Sequence, residues 1–252
     1  MKMMALTEQA ISLIRKSGNI VALSGAGIST EAGIPDFRGP GGMWEEPGLM
    51  DQLSVSGFRN SPETFYRTSV RLFSNIARAE PTLAHRLLVR LEQLNKLKAV
   101  ITQNIDGLHT AAGSTNVFEL HGTYRTGHCP QCGAEFEMAE FYAEIERGNL
   151  RVPLCSACAV PIKPDIVLFE DLLPVNAWNG AVQAATTCDL MLIFGSSLMV
   201  YPAAELPMIA YEHGARLVIV NLGETSYDNM AAVAIKSRIG DFAKTALATF
   251  ME

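Results

Sequence analysis

Four cysteines in two pairs carry the sharpest chemical signal in the chain. Cys129 and Cys132 have two residues between them, and Cys155 and Cys158 repeat that spacing further on. Each C-x-x-C pair can present two thiolates to one ion, and two pairs complete the tetrahedron that Zn²⁺ favours. Four protein ligands leave no coordination position for water, so the expected role of the ion is structural. His128 is adjacent, but four thiolates suffice, and Cys188 reads as a small core residue at the end of a helix.

Three further stretches hold polar groups at the ends of apolar runs. "SGAGIST" at 24–30 follows "NIVAL" and opens like a dinucleotide turn with Gly25, Ala26 and Gly27, but Thr30 stands where the third glycine of G-x-G-x-x-G belongs. The chain then enters "EAGIPDFRGPGGMW", which reads as loop, so the plan of a hydride-transferring dehydrogenase does not fit. "TQNIDGLH" at 102–109 puts Gln103, Asn104 and Asp106 directly after an apolar strand, where amides and a carboxylate suit a ligand rich in hydroxyl and amide groups. "ELHGT" at 119–123 ends another strand with His121, a side-chain type suited to proton transfer near neutral pH. Taken alone, His121 is as well explained as a hydrogen-bonded structural histidine. His85, His109 and His213 read as structural or solvated.

The elements that must position these residues follow from pattern. Apolar β-type runs at 19–24, 98–104, 116–122, 165–169, 189–195 and 216–223 are separated, in several places, by helical periods, as at 81–97 and 202–214. Pro81 is expected in a first helical turn, and Pro207 is expected to interrupt its helix. Continuous apolar strands alternating with helices indicate an α/β chain with a doubly wound parallel sheet, whose ligands gather at the C-terminal strand ends. Two stretches break the alternation: 36–62, rich in Gly and Pro and read as an ordered but mobile loop, and 123–164, which holds the cysteine pairs.

The 252 residues, 48% hydrophobic and 18% charged, suffice for one ordinary domain and a smaller module. A net charge of −6 with no basic stripe argues against nucleic-acid or anionic-membrane binding. The first 19 residues read as an amphipathic helix and not as a signal peptide, and no apolar run approaches the roughly 18 residues of a membrane span. A cytoplasmic location is the expectation, and reduced thiols there favour metal binding over disulfides.

Taken in order, "GAGISTEAGIPDFRGPGG", "TQNIDGLH", "ELHG", the paired C-x-x-C, "IVLFEDLLP", "GSSLMVYPAAELP" and "VNLGET" resemble the motifs of the sirtuins, the NAD-dependent protein lysine deacylases. The resemblance runs from about residue 5 to 250 and is closest to the compact prokaryotic members. It implies a Rossmann-like NAD-binding domain from 1–122 and 165–252, a helical and loop insertion at about 36–80, and a small zinc-binding domain at 123–164. It also implies that Gly25, Ala26 and Gly27 approach the pyrophosphate with their backbone N–H groups. Thr30, Phe37 and Arg38 would belong to the cofactor loop, with Phe37 shielding the reacting face. Gly195, Ser196, Ser197, Asn221 and Leu222 match adenosine and ribose positions, and Arg238 and Ile239 lie near the adenine contact.

By the same resemblance Gln103, Asn104, Ile105 and Asp106 form the nicotinamide and ribose pocket, with Asn104, Asp106 and His121 as the catalytic set. The acyl oxygen would attack the ribose to give an alkylamidate, His121 would act as general base on the ribose hydroxyls, and the products would be lysine, nicotinamide and O-acyl-ADP-ribose. Val167 and Phe169 would line the acyl-lysine tunnel. The alternatives are a mono-ADP-ribosyltransferase, a deacylase for longer uncharged chains, and a module that binds NAD or acyl-lysine without turnover. Two departures stand out. Glu170-Asp171 replaces the usual Gly-Glu, which would narrow the peptide groove or favour basic flanking residues. Tyr66 lacks the arginine partner of succinyl-selective members, since Ser69 occupies that position and Arg67 and Arg71 are offset, which points to acetyl or another uncharged group.

Overall fold

The computed structural model describes residues 2–36 and 46–251. The chain opens with helix α1 (Lys2–Lys16) and strand β1 (Ile20–Ser24), passes through short helices α2 (Leu49–Gln52) and α3 (Val55–Asn60), and continues into α4 (Pro62–Phe73) and α5 (Leu83–Gln93). Then follow β2 (Leu97–Thr102), α6 (Leu108–Ala112) and β3 (Val117–Glu119). A second region contains β4 (Gly122–His128), β5 (Glu135–Glu137), α7 (Ala139–Glu146) and β6 (Lys163–Ile166). The chain closes with α8 (Val175–Thr187), β7 (Leu190–Phe194), α9 (Leu206–Glu212), β8 (Arg216–Asn221), β9 (Val233–Lys236) and α10 (Ile239–Phe250).

Six strands form one sheet in the order β3-β2-β1-β7-β8-β9, all paired in parallel. The chain builds outward from β1 in one direction, then returns to its other side at β7, so the order reverses between these two strands. This is a Rossmann-like, doubly wound sheet. Alternation within each buried strand feeds both faces. Ile20 and Ala22 of β1, with Leu190, Leu192 and Phe194 of β7, pack under α1, α5 and α10. Val21, Leu23, Met191 and Ile193 pack on the other face with α8 and α9. A separate apolar cluster joins α2–α4 to the three-stranded sheet β5-β4-β6 and α7.

Several expectations change. The run at 165–169 is not a strand of the parallel sheet: β6 pairs antiparallel with β4 in the small sheet. Within 36–62, residues 37–45 lie outside the described residues, and 49–52 and 55–60 are helical instead of loop. Ser54 starts α3 because its Oγ accepts from the Gly57 N–H at 2.8 Å, a cap that the glycine-rich composition masked. Pro81 lies before the cap residue Thr82 and not in the first turn. Pro207 occupies the first turn of α9 after a 3₁₀ turn at Ala203–Glu205, where a missing N–H costs nothing, so it starts that helix and does not break it. Among the described residues, no helix is long and apolar enough to cross a membrane.

Candidate active site

The ends of β1 and β7 meet where the sheet order reverses, and glycines make that meeting possible. The Gly25 N–H donates to the Phe194 carbonyl at 3.0 Å, and the Gly27 N–H to the Gly195 carbonyl at 3.0 Å. A Cβ on Gly25 would lie 2.7 Å from the Gly195 oxygen, and one on Gly27 2.7 Å from the Gly195 Cα. The Gly25 N–H continues the ladder by one bond and the Gly27 N–H, inside the 3₁₀ turn Ala26–Ile28, is bonded to the next loop, so neither of these two N–H groups is turned towards a phosphate in this structure. The glycines are needed first for the crossing of two backbones, and the turn they form leaves Ala26 on the cavity wall.

The loop after β2 locks into both neighbours. Gln103 donates from its backbone to the Ser24 carbonyl at 3.0 Å and from its side chain to Ser196 Oγ at 2.8 Å. Asn104 is buried and donates from Nδ2 to the Gly25 carbonyl and to Ser29 Oγ, each at 3.2 Å. Ser29 in turn donates to Asp106 Oδ2 at 2.7 Å, while the Leu108 N–H reaches Asp106 Oδ1 at 2.9 Å. Burial pushes the Asp106 carboxyl above its ordinary range, and the bonds from Leu108 and Ser29, with the more distant Arg125, oppose that shift. Ser29 is a central part of this cluster that sequence reasoning missed. Only its position inside "SGAGIST" hinted at it.

His121 stands between the two sheets. Its Nδ1 lies 2.8 Å from the Gln103 carbonyl, which can only accept, so the ring donates from Nδ1 and carries its lone pair on Nε2. The backbone around it is held by the Val167 N–H on the His121 carbonyl at 2.8 Å. Gly122 follows with φ +73°, and a Cβ there would fall 1.8 Å from the Asp165 oxygen, so only glycine permits this exit into β4.

These groups line one cavity of about 1300 Å³. Gly25, Ala26, Gly27 and Thr30 form one wall; Gln103, Asn104, Ile105, Asp106 and His121 form the next. Gly195, Ser196, Ser197, Asn221, Leu222, Arg238 and Ile239 extend it along the sheet edge, and Val167 and Phe169 lie on the side of the small sheet. Phe37 and Arg38 lie outside the described residues. Sequence reasoning also missed Glu31, whose carboxylate packs against Gly240 in the first turn of α10, and the wall residues Trp178 and Tyr201.

Glu170 adopts φ +79°, a left-handed conformation that glycine would hold without strain. Its carboxylate accepts from the Ser56 N–H at 3.0 Å and the Ser56 hydroxyl at 2.8 Å, capping α3. Asp171 pairs with Lys163 at 2.9 Å. Both carboxylates therefore have partners within the chain, which weakens the expectation that they select basic flanking residues. Tyr66 is fully buried in the third apolar cluster and donates to the Ile162 carbonyl, while Arg71 pairs with Glu46 at 2.8 Å. Neither they nor Arg67 line the cavity, and among the described lining residues Arg238 is the one guanidinium.

The four thiols of Cys129, Cys132, Cys155 and Cys158 lie within 4.8 Å of one another. The Cys132–Cys155 sulfur separation is 3.8 Å, and a tetrahedral ion with sulfur bonds of about 2.3 Å requires edges of about 3.8 Å. The donor set and its spacing fit Zn²⁺. Each pair is one turn of the same design. The Gly133 N–H returns to the Cys129 carbonyl at 2.9 Å and the Ala159 N–H to the Cys155 carbonyl at 2.8 Å, with positive φ at both Gly133 and Ala159.

The Sir2 family profile matches residues 25–202. An NAD-dependent protein deacetylase of Thermotoga maritima is 41% identical over 94% of this chain and 95% of its own length. The NAD-dependent protein deacylase 2 of Archaeoglobus fulgidus is 40% identical over 92% of this chain and 91% of its own. A Sir2 structure with a deacetylated p53 peptide and 3′-O-acetyl ADP-ribose superposes with a TM-score of 0.91 at 40% identity, covering 96% of this chain and 98% of that one. Sir2Tm bound to a propionylated peptide gives a TM-score of 0.87 at 39% identity over 96% and 98%. With identity of this level spread over nearly the whole chain, the protein belongs to the Sir2 family.

Proposed function

We propose that this chain removes acyl groups from protein lysine side chains, with NAD as co-substrate, to give free lysine, nicotinamide and O-acyl-ADP-ribose. The observation that carries the reading is His121: its Nδ1–H is committed to the Gln103 carbonyl, so Nε2 is the basic atom, in the same cavity as Asn104 and Asp106. The deacetylase and deacylase relatives, and the Sir2 structures with acyl peptides, support the same chemistry.

In this reading the Gly25–Gly27 turn and the Gly195–Ser197 loop bound the dinucleotide, and Asn221, Leu222 and Ile239 bound its adenosine end. Asp106 accepts from the nicotinamide carboxamide through oxygen lone pairs that Ser29 and Leu108 leave available. Asn104, held at two points, orients the reacting ribose. His121 takes the proton from a ribose hydroxyl as the acyl group is transferred. Val167 and Phe169 line the acyl-lysine passage, where an apolar wall accepts a neutral amide and rejects Lys⁺. An uncharged acyl group fits best, because among the described residues the helix bearing Tyr66, Arg67 and Arg71 sends no cation into the cavity.

Cys129, Cys132, Cys155 and Cys158 would hold a structural Zn²⁺, which keeps the small sheet folded and takes no part in the reaction. In this reading the chain divides into a dinucleotide-binding domain of 1–122 and 165–252 and a zinc domain of 123–164, the seam running through the Gly122–Ile166 pair of the small sheet. The chain would work in the cytoplasm on acyl-lysine proteins, with no nucleic-acid or membrane partner.

Mass spectrometry of an acetyl-lysine peptide incubated with NAD and protein tests the function. Loss of the acyl mass with release of nicotinamide is expected across a series of uncharged acyl groups. A retained ADP-ribose adduct on the peptide would replace deacylation by ADP-ribosyl transfer, and an inert protein would leave only a binding module.

A further inference from the structure

Arg125 lies outside the cavity lining, yet its side chain meets the two loops that carry Asp106 and His121. It stands on β4, shortly after the His121–Gly122 turn. One terminal nitrogen of its guanidinium lies 3.1 and 3.2 Å from the two carboxylate oxygens of Glu119, at the end of β3 just before His121. Nε donates to Thr123 Oγ1 at 3.0 Å. The Glu119–Arg125 pair thus spans the turn that carries His121. The same side chain also packs over the loop after β2. A Cβ on Gly107 would fall 3.1 Å from Cδ, 3.2 Å from Nε and 3.3 Å from Cζ of Arg125, so this approach uses the bare backbone of the residue next to Asp106.

The backbone of β4 supports this placement. The Tyr124 N–H donates to the Ile105 carbonyl at 3.1 Å, and the Arg125 carbonyl accepts from the Met138 N–H at 2.8 Å. Arg125 is fixed to the small sheet by its backbone and to the large sheet by its side chain. The charges give the arrangement a consequence. Burial pushes the Asp106 carboxyl up, and the bonds from Leu108, Ser29 and Asn104, then the Arg125 charge, oppose that rise. Burial pushes Glu119 up as well; Arg125 opposes the rise and Asp106 adds to it. Two carboxylates that repel each other share one cation. The other ionisable side chains on the elements around Asp106 are Glu31 beyond the β1 turn, His85 on α5, His109 on α6 and His121, and burial holds His85 and His109 on the neutral side.

We propose that Arg125 is a positioning residue of this cavity: held by Glu119 and Thr123 across the His121 turn and packed over Gly107, it fixes that turn against the Asp106 loop and supplies positive charge to the Asp106 carboxylate. A partly exposed ion pair adds little to folding stability, so its effect is read in rate and protonation and not in melting temperature. Without the cation, Asp106 and Glu119 repel each other in a partly buried site, which favours uptake of a proton by one of them. A protonated Asp106 turns one oxygen into a donor and becomes a poorer acceptor for an amide. Without the clasp, the Asp106 loop and the His121 turn lose their common anchor, and a reaction that needs both in register slows. The kinetic part of the proposal rests on the deacylase reading; the charge on Asp106 does not.

Carboxyl ¹³C spectra of the aspartate-labelled full chain, titrated with acid, test the charge, with Asp106→Asn assigning the signal. The Asp106 titration is expected to move to higher pH in Arg125→Met and to move back in Arg125→Lys, which restores the charge. A titration that stays in place in Arg125→Met, or that Arg125→Lys does not bring back, overturns the electrostatic part. Initial rates test the positioning. Arg125→Met is expected to lower kcat about fivefold or more at neutral pH while the acyl-peptide KM stays within about twofold. Arg125→Lys is expected to recover only part of that loss, because an ammonium cannot reproduce the guanidinium fork on Glu119 and Thr123. Adding Glu119→Gln to Arg125→Met is expected to cost less than about twofold more, since the pair acts as a unit. Equal kcat in Arg125→Met and wild type, full recovery by Arg125→Lys, or a larger further loss in the double variant overturns the positioning role. A wild-type protein with no deacylase activity would refute the function while the titration still decides the charge.

Discussion

Replacing Gly195 by alanine separates two effects that glycine hides together. The first is backbone strain: Gly195 has φ +64°, and an L-residue there costs about 1–2 kcal/mol. The second is collision. The new Cβ would lie 2.5 Å from the Ile28 nitrogen and 2.6 Å from the Gly27 Cα, and both are backbone atoms fixed at the end of β1. Overpacking against a rigid wall adds about 1–3 kcal/mol, for a total of about 2–5 kcal/mol. Gly214 supplies the control, since it has φ +91° just past α9 and a Cβ there would meet nothing within 4 Å. Gly214→Ala should show strain alone. In a chain of this size 1 kcal/mol shifts Tm by about 2–4 °C. Gly195→Ala is therefore expected to lower Tm by about 4–20 °C, and Gly214→Ala by about 2–8 °C. Thermal melts read by circular dichroism give both numbers, and titration with NAD should show weakened binding for Gly195→Ala only. If the two variants melt together and bind NAD equally, the β1–β7 crossing does not require glycine and the account of the cavity floor is wrong.

Four other outcomes are expected. His121→Ala should reduce deacylation about 10²–10⁴-fold with NAD affinity retained, as measured by initial rates and calorimetry; wild-type rates would remove His121 from the role of base. Acid should destabilise the fold through His85, whose folded value of about 4 lies below the ordinary 6.5. The unfolded chain then binds the proton that the folded chain refuses, so stability is full above about 6.5 and falls by about 3 kcal/mol as pH drops to about 4, with His109 adding in the same direction. Urea midpoints across that window should slope less in His85→Gln, and an unchanged slope would refute the assignment. Stripping the cysteine cluster with a chelator should release one Zn²⁺ per chain by metal analysis and unfold the small sheet, since such sites contribute about 10–16 kcal/mol in isolated modules. Ala159→Gly should raise stability by about 1 kcal/mol by relieving its left-handed φ of 56°, measurable as an increase in urea midpoint.

Strong local signals are readable in the sequence alone. The apolar runs of β1, β2, β7 and β8 are continuous because both faces of the sheet are covered, and the C-x-x-C spacing announces its own geometry. What is not readable depends on long-range partners. The run at 165–169 has the same composition as a central strand, and only its pairing with β4 places it in the small sheet. β9 is a four-residue edge strand, too short to rise above its alanine-rich surroundings. His85 and His109 read as structural or solvated because a histidine on an amphipathic helix gives no sign of the facing histidine that buries it. Ser29 is silent for the same reason: its acceptor, Asp106, lies 77 positions away.

The small sheet leaves and rejoins the large one at neighbouring positions, since Gly122 pairs with Ile166. Its consequence for assembly is a matter of polymer length. Pairing Ser24 with Phe194 encloses 170 positions (194 − 24), and a prefolded insert removes 44 of them (166 − 122). Shortening a loop from 170 to 126 positions changes its closure entropy by only about 0.3 kcal/mol. A metal in the insert therefore gives the large sheet almost no entropic help. Its leverage would be mechanical, because the Val167 N–H on the His121 carbonyl ties the insert to the residue proposed as base, so a shift of the insert would carry that residue with it.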